Sequence, residues 1–363
     1  MKQYRLTATR IYRVLSLIFY LSIAPLQAQR ELTVATWGGA YENAQRIALF
    51  EPFEAETGIR IETQFYNGDQ AILKSDSIPD VIDMTLDDAL VACDENLLHK
   101  VDFGSMVSPS PAGVKAENDF IENSILPCGI AHLTYSNLIA YDDRAFPGAK
   151  PQLINDFFDL ERFPGKRALY KEPSAILEWA LMAEGVPLDQ IYDLLSTDRG
   201  LRLAFRRLDS IRDQIVWWDN PKQPAAFLKA GKVVMASGYN GRFFDAQLQG
   251  DPINMIWDGQ IIDRDVWAIP KAKEDLSEAV RKFIGFVTQT SKMAKLAEII
   301  PYGPTRKSAL KHIGLHPQKG IQMREHLPTA SHHLDRALFR DANWYARTLK
   351  FRNQRFWDWF NAN

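Results

Sequence analysis

A set of side chains suited to binding small organic ions lies beside the predicted strands of this chain. Aromatic rings attract an organic ammonium by cation–π interaction, and a carboxylate adds a charge-assisted hydrogen bond. For any one of the aromatic residues, packing in the core is at least as good an explanation. Their shared placement next to strands favours a ligand site. The set is Trp37, Tyr41, Thr85, Tyr239, Arg242, Asp263, Asp265 and Tyr302.

Sequence signals of catalysis are missing. No G-x-S-x-G, H-E-x-x-H, G-x-x-x-x-G-K-[ST] or G-x-G-x-x-G motif occurs. The adjacent His332 and His333 would point to different faces of a helix or strand, which disfavours a metal site. We therefore expect a binding protein that is not an enzyme and has no metal or cofactor. An exported enzyme is the remote alternative.

The candidate residues need a framework of strands and helices to position them. Residues 32–36 predict a strand that runs into Trp37-Gly38-Gly39, and a helix then leads to a second strand at 59–65. Ligands of open α/β sheets bind at the C-terminal ends of strands. Trp37 and Tyr41 follow such an end, so the first unit of the chain already favours ligand binding.

The rest of the chain continues the alternation of strands and helices. This alternation predicts an α/β fold with mainly parallel sheets. The many aromatic residues of the last helix are better explained by docking onto the core than by a ligand platform. Strands are predicted at 80–84, 130–141, 232–237 and 265–270, and helices at 87–98, 151–160, 174–184 (capped by Ser174), 188–195, 276–286 and 343–360.

The N-terminus has the pattern of an export signal. Residues 1–28 contain no acid, four basic residues precede an apolar run at 14–24, and Ala28 precedes the expected cut. The apolar run is short for a transmembrane helix, although an uncleaved anchor is the alternative. Cleavage changes the formal charge of −2 to −6 by removing four positive charges. A mildly acidic, exported chain without a basic run predicts an extracytoplasmic protein that binds no nucleic acid.

The chain has two cysteines, Cys93 and Cys128. In an oxidising compartment such a pair predicts one disulfide, and two buried free thiols are the alternative. Because the chain has no C-x-x-C motif, a disulfide here would serve stability and not redox catalysis.

Seven segments, taken in order, resemble the periplasmic spermidine/putrescine-type solute-binding proteins of ABC transporters. They are TWGGAYENAQ, FEPFEAETGI, SDSIPDVIDM, SGYNGR, DRDVWAIPKAK, IIPYGPT and HLPTA. The resemblance implies the type II periplasmic binding protein fold, with two α/β lobes and a hinge of crossover strands. It also implies a monomer that carries a small amine ligand to a permease and its ATPase.

The resemblance carries ligand-binding roles to Trp37, Tyr41, Thr85, Tyr239, Asp265 and Tyr302. Arg242 departs from the family pattern, because polyamine binders usually have an acidic residue there, and Asp263 stands where the family has an aromatic residue. A solute with a carboxylate at one end and an ammonium at the other suits Arg242 and Asp265 better than a diamine. Alternatively, Arg242 points out of the cleft or pairs with Asp245 or Asp263.

These observations predict a signal peptide at 1–28, a first lobe of 29–140 and 264–302, and a second lobe of 141–263 and 303–363. The predicted function is binding of a polyamine or a zwitterionic ω-amino acid for an ABC importer. A receptor-coupled sensor on the same fold is the alternative, which the sequence does not separate from transport.

Overall fold

The computed structural model describes residues 31–271 and 276–362, so the predicted signal peptide at 1–28 lies outside the described residues. The strands are β1 (Glu31–Thr36), β2 (Arg60–Phe65), β3 (Val81–Thr85), β4 (Ile125–Leu126), β5 (Gly129–Asp142), β6 (Arg167–Tyr170), β7 (Ile215–Trp218), β8 (Met235–Tyr239), β9 (Ile253–Ala268), β10 (Gly303–Pro304) and β11 (Leu338–Phe339). The predicted strand at 265–270 is the end of the much longer β9.

The helices lie on both sides of these strands. A π-helical segment, Arg46–Phe50, joins the first two helices into one continuous element. None of the helices within 31–271 and 276–362 is long and apolar enough to cross a membrane. The α-helices are α1 (Gly39–Gln45), α2 (Glu51–Thr57), α3 (Leu86–Asp94), α4 (Ala116–Asp119), α5 (Ile176–Ala183), α6 (Ile191–Leu195), α7 (Asp198–Asp209), α8 (Gln223–Lys229), α9 (Asn240–Leu248), α10 (Glu278–Val287), α11 (Thr290–Ile299), α12 (Lys307–Leu310) and α13 (Ala342–Asn361).

Two of the predicted helices differ from the structure. The predicted helix at 151–160 is one 3₁₀ turn, Ile154–Phe157, in which Asp156 accepts hydrogen bonds from the Gln152 and Leu153 amides. The predicted cap Ser174 does not cap α5. That helix begins at Ile176, after Ala175 in a left-handed conformation with φ of 67°. Both differences arise from local turn geometry that hydrophobic periodicity does not report.

The main sheet has the order β2-β1-β3-β9-β5-β8-β6-β7. Pairing is parallel within β2-β1-β3, which we call the first half, and within β8-β6-β7, the second half. Between them the long strands β9 and β5 pair antiparallel with each other and with their outer neighbours. The two long strands therefore connect the halves, which confirms the two-lobed α/β fold with crossover strands.

Separate cores lie on the two sides of the crossover. One cluster packs Phe50, Phe53 and Phe283 beside β1 and β2, and another packs Phe157 and Trp179 beside β5 and the C-terminal helix. The predicted lobe boundaries stay a prediction. The segment 309–327 contributes Ala309, Ile313, Met323 and Leu327 to the first cluster. We therefore propose to move this segment from the predicted second lobe to the first.

The C-terminal helix α13 docks as its sequence predicts. Asp341 caps it by accepting a hydrogen bond from the Trp344 amide at 2.9 Å. Trp344, Tyr345, Phe356 and Trp359 are buried in the second-half core. Packing thus accounts for most of the aromatic residues of this helix.

The predicted disulfide is confirmed. Cys93 at the end of α3 is bonded to Cys128, just before β5, with a Cα–Cα distance of 5.8 Å. The bond ties the helix that follows β3 to the start of a crossover strand. It closes a loop with a sequence separation of 35.

Reduction of this disulfide should lower the free energy of unfolding by about 3–4 kcal/mol, because the open chain regains loop entropy when it unfolds. Urea denaturation with and without dithiothreitol measures the difference. The Cys93→Ala/Cys128→Ala double variant is the control, and its unfolding midpoint should not respond to the reductant. A wild-type midpoint that stays constant on complete reduction would contradict the prediction.

Candidate ligand-binding site

Most of the predicted site residues meet in one cavity between the two halves of the sheet. Its empty volume is about 590 Å³. Of the predicted set, Asp263 alone does not line it. The lining residues are Trp37, Tyr41, Asn67, Thr85, Tyr135, Tyr170, Trp218, Asp219, Pro221, Tyr239, Arg242, Asp265 and Tyr302. The direct ligand-binding roles of these residues stay a prediction.

The turn after β1 brings the chain close to the opposite side of the cavity. Gly38 and Gly39 both have positive φ, 65° and 64°. A Cβ atom on Gly39 would lie 2.7 Å from Nη1 of Arg242. Glycine therefore suits the left-handed backbone, and a Cβ atom there would displace the end of the Arg242 side chain.

Asp83, at the centre of β3, holds one wall of the cavity in place. Its Oδ2 accepts hydrogen bonds from the Tyr41 hydroxyl at 2.6 Å and from Nε2 of Gln45 at 2.7 Å. Its Oδ1 lies 3.1 Å from Nε2 of His132. Burial and the charge of Asp83 raise the pKa of Tyr41 well above its ordinary value, so the hydroxyl stays protonated. Tyr41 therefore has a fixed orientation before any ligand arrives.

Aromatic rings from both halves form the cavity walls. Tyr41 and Tyr302 lie with ring centroids 5.4 Å apart, and Trp37 lies on Tyr66, outside the lining, at 4.7 Å. On the opposite side Tyr170 and Trp218 stack at 4.4 Å with an angle of 20° between the ring planes. Such walls suit an organic cation or an apolar methylene chain.

Tyr170 and Trp218 were missed by the sequence analysis. Each is the last residue of a parallel strand, β6 or β7, so the strand-end rule that identified Trp37 also applies to them. They were missed because these four-residue strands were not recognised in the sequence. Tyr135 was missed for another reason, since it lies in the middle of the crossover strand β5.

Asp265 has a buried carboxyl oxygen without a hydrogen-bond partner among the described residues. Its side chain is only 5 % exposed, and its Oδ1 has no hydrogen-bond partner within residues 31–271 and 276–362. It pairs in strand register with Thr85, which also lines the cavity. Burial, followed by the charges of Asp83 and Asp263, raises the pKa of Asp265 well above its ordinary value. A cationic group in the cavity would supply the missing partner.

Arg242 lines the same cavity from the first turn of α9. Its Nη2 donates to the carbonyl oxygens of Trp37 at 3.0 Å and Gly38 at 3.3 Å. The side chain thus connects the helix after β8, in the second half, to the turn after β1, in the first. Because a guanidinium has five N–H donors, the two carbonyls leave donors for an anion.

The carboxylate of Asp263 is bonded to other protein side chains and does not line the cavity. Its Oδ2 accepts a hydrogen bond from the Tyr135 hydroxyl at 2.9 Å and lies 2.9 Å from Nη1 of Arg340. The same guanidinium donates to Oδ2 of Asp87 through Nη2 at 2.9 Å. Asp263 therefore anchors Tyr135 and Arg340 behind the cavity wall. No local pattern in the sequence could indicate this pair, since the partners are far apart along the chain.

Comparisons with known proteins agree with this architecture. The family model described as bacterial extracellular solute-binding protein matches residues 48–329. A gamma-aminobutyric acid-binding protein of Pseudomonas aeruginosa is 35 % identical over 355 residues, which is 96 % of each chain. An ABC transporter substrate-binding protein of Bradyrhizobium japonicum superposes with a TM-score of 0.79 at 27 % identity, covering 92 % of this chain and all of that chain. The solved structure of a GABA receptor superposes with a TM-score of 0.75 at 26 % identity, covering 92 % of this chain and 98 % of that chain.

Replacing Asp265 by Asn should stabilise the ligand-free protein at pH 8, by about 1–3 kcal/mol. The raised folded-state pKa means that the folded protein holds this proton more tightly than the unfolded chain does. The stability of the wild type therefore falls as the pH rises from about 4 through the raised pKa. The variant has no ionisable group at this position, so its stability lacks this part of the pH dependence. Thermal unfolding from pH 4 to pH 8 measures both curves.

The control for that experiment is Asp94→Asn, which removes an exposed carboxylate at the end of α3. Its stability should follow the wild-type pH profile. A lower unfolding temperature of Asp265→Asn than of the wild type at pH 8 would show that the carboxylate is already well paired.

Proposed function

Because the chain belongs to the bacterial extracellular solute-binding protein family, whose members serve ABC importers in the periplasm, we propose that its cavity binds a small zwitterionic ω-amino acid such as 4-aminobutanoate. Solute-binding proteins of these transporters bind small ligands and work with permease and ATPase components. We further propose that this protein delivers its ligand to such a permease as a monomer.

The observation that carries the proposal is the presence of opposite charges in one aromatic cavity. Asp265 offers a buried carboxylate oxygen without a hydrogen-bond partner among the described residues, and Arg242 offers a guanidinium. An ammonium at Asp265 and a carboxylate at Arg242 would each receive a charge-assisted hydrogen bond. The aromatic walls would enclose the methylene chain between them.

The similarity to a gamma-aminobutyric acid-binding protein across almost the whole chain supports the same ligand class. A diamine fits the arrangement less well, because one of its ammonium groups would meet the charge of Arg242. Bringing like charges together in a partly dry site is unfavourable. The cavity is therefore better matched to unlike ends than to two cations.

Arg242 also suggests how ligand binding would favour a closed cleft. Its hydrogen bonds to Trp37 and Gly38 join elements from the two halves of the sheet. A carboxylate that contacts the same guanidinium would add its contacts to this junction only when the halves are together. Ligand would then shift the population toward the closed form.

Arg242→Ala should remove most affinity for 4-aminobutanoate, by about 2–5 kcal/mol, because the ligand carboxylate would lose its charged partner. Binding of 1,4-diaminobutane should improve or stay unchanged, since the variant removes a repulsion. Isothermal titration calorimetry on the purified protein measures both. This is the direct test of the proposed function.

The matched control is Arg281→Ala, an exposed arginine of α10 outside the cavity. It should bind both ligands as the wild type does. Tight wild-type binding of 1,4-diaminobutane that Arg242→Ala leaves unchanged would place Arg242 outside the ligand contacts and favour a plain polyamine-binding function.

Trp37→Ala should weaken 4-aminobutanoate binding by about 1–3 kcal/mol through loss of a desolvated ring beside the ammonium. Phe339→Ala, which removes an aromatic side chain that is 57 % exposed, is the control and should leave the affinity unchanged. Calorimetric titration gives the affinities, and thermal unfolding without ligand tests the fold. A loss of ligand-free stability as large as the loss of affinity would assign Trp37 to the core.

A further inference from the structure

The ligand cavity continues into a second, more polar space, which we call the second compartment. Its empty volume is about 1320 Å³. The two spaces are parts of one cleft, because they share the lining residues Trp37, Asn67, Thr85, Tyr135, Tyr170, Asp219 and Tyr239. A ligand longer than a four-carbon amino acid has a route from one to the other.

We propose that Asp87 and Asp88 form a second cation subsite in this compartment, which takes an additional ammonium or guanidinium group of an elongated ω-amino acid. The proposal rests on the proposed function, since it places the carboxylate and the first ammonium of the ligand at Arg242 and Asp265. It adds a third charged group to the ligand and assigns that group to residues outside the ligand cavity.

The charge of the compartment is the first support. Five acidic residues line it against three basic ones. The acidic residues are Asp69, Asp87, Asp88, Glu172 and Asp219, and the basic ones are Lys171, Arg340 and Arg352. An excess of carboxylates in a partly enclosed space attracts a cation.

Each of the three basic side chains already makes contacts with protein groups, although Nε of Arg340 and Nε of Arg352 have no hydrogen-bond partner among the described residues. Arg340 is shared between Asp87 and Asp263, at 2.9 Å from each. Arg352 donates to the Tyr345 carbonyl oxygen at 3.0 Å and lies over the Tyr345 ring, 4.1 Å from its centroid. Lys171 has its Nζ 5.1 Å from the centroid of the Phe360 ring. None of these contacts is made to the Asp88 carboxylate, although the charge of Arg340 acts on it and opposes the rise of its pKa.

Asp87 supplies an independent observation. Its side chain is 5 % exposed, and its Oδ1 has no hydrogen-bond partner in the described parts of the chain, although Oδ2 is bonded to Arg340. A buried carboxylate oxygen without a donor is costly, and a ligand N–H would satisfy it. The donor would have to enter through the compartment that Asp87 lines.

Asp88 follows Asp87 in the first turn of α3. Its Oδ1 accepts a hydrogen bond, 3.3 Å long, from Nε2 of Gln70, and its carboxylate also has a hydrogen bond with the Thr85 side chain. Burial and the charge of Asp87 raise the pKa of Asp88 to about 7, even though the N-terminus of a helix favours carboxylates. A cation beside the pair would therefore favour the ionised form of Asp88.

The order of the charged groups defines the ligand class. Thr85 lines both spaces, pairs in register with Asp265 and is directly followed by α3, which carries Asp87 and Asp88. A ligand would present a carboxylate at Arg242, an ammonium at Asp265 and a second cationic group beyond Thr85. This pattern describes an ω-amino acid whose nitrogen carries an aminoalkyl extension.

Two probes that differ in one ammonium group test the subsite. One is 4-aminobutanoate extended at its nitrogen by a 3-aminopropyl chain, and the other carries a propyl chain instead. Wild-type protein should bind the aminopropyl probe about ten-fold more tightly in calorimetric titration, because the terminal ammonium gains charged partners. Asp88→Asn should bring the two affinities close together, and the surface control Asp94→Asn should keep the wild-type ratio.

Equal wild-type affinities for the two probes would overturn the subsite, and so would a ratio that Asp88→Asn leaves intact. Tighter binding of a third probe, extended by a carboxyethyl chain, would assign the compartment to anions and overturn it as well. Binding of 4-aminobutanoate with equal affinities for the extended probes overturns the subsite and leaves the proposed function standing. Failure of all the probes, 4-aminobutanoate included, overturns both proposals.

Discussion

Burial of carboxylates where β3 and β9 pair is the constraint on which this structure depends. Asp83 and Asp265 lie on these neighbouring strands and are both nearly inaccessible to solvent. A buried carboxylate costs free energy unless hydrogen bonds or cations satisfy it. Asp83 is satisfied by Tyr41, Gln45 and His132. Asp265 retains an oxygen without a hydrogen-bond partner in the described chain. Asp83 is therefore a structural carboxylate, whereas Asp265 has an oxygen that a ligand could bond.

The crossover strands turn this local difference into a binding site. Because β9 pairs with β3 of the first half and β5 pairs with β8 of the second, side chains on these two strands can reach the space between the halves. Tyr135 on β5 and Asp265 on β9 reach the cavity in this way, and Asp263 holds Tyr135 from behind. The strand ends of the flanking halves then add Trp37 and Thr85 on one side and Tyr170 and Trp218 on the other. The site thus needs both halves to be complete.

The sequence was sufficient for the fold and for the part of the site that follows recognisable strands. The apolar runs of β1, β3 and β8 placed Trp37, Thr85 and Tyr239 at strand ends, where the structure has them. The rest of the site depends on contacts between residues that are far apart along the chain. Asp263 was expected in the site because it lies two residues before Asp265, on the same face of the strand. In the structure its carboxylate is instead bonded to Tyr135 and Arg340. Its partner Arg340 follows β11 and is far from Asp263 along the chain, so only the folded structure brings the two side chains together.

The role of Arg242 could not be determined from its residue type and its position in the sequence. The sequence allowed it to face the ligand, to point outward, or to pair with a nearby acid. In the structure it lines the cavity and also donates to two carbonyl oxygens of the turn after β1. One side chain therefore contributes both to the closed arrangement and to the surface offered to a ligand. A ligand shifts the equilibrium between open and closed forms only by the difference in its affinity for them. Under the proposed function, an arginine shared between the junction and the cavity would supply such a difference, because a carboxylate bound to it would make its full contacts only with Trp37 and Gly38 beside α9.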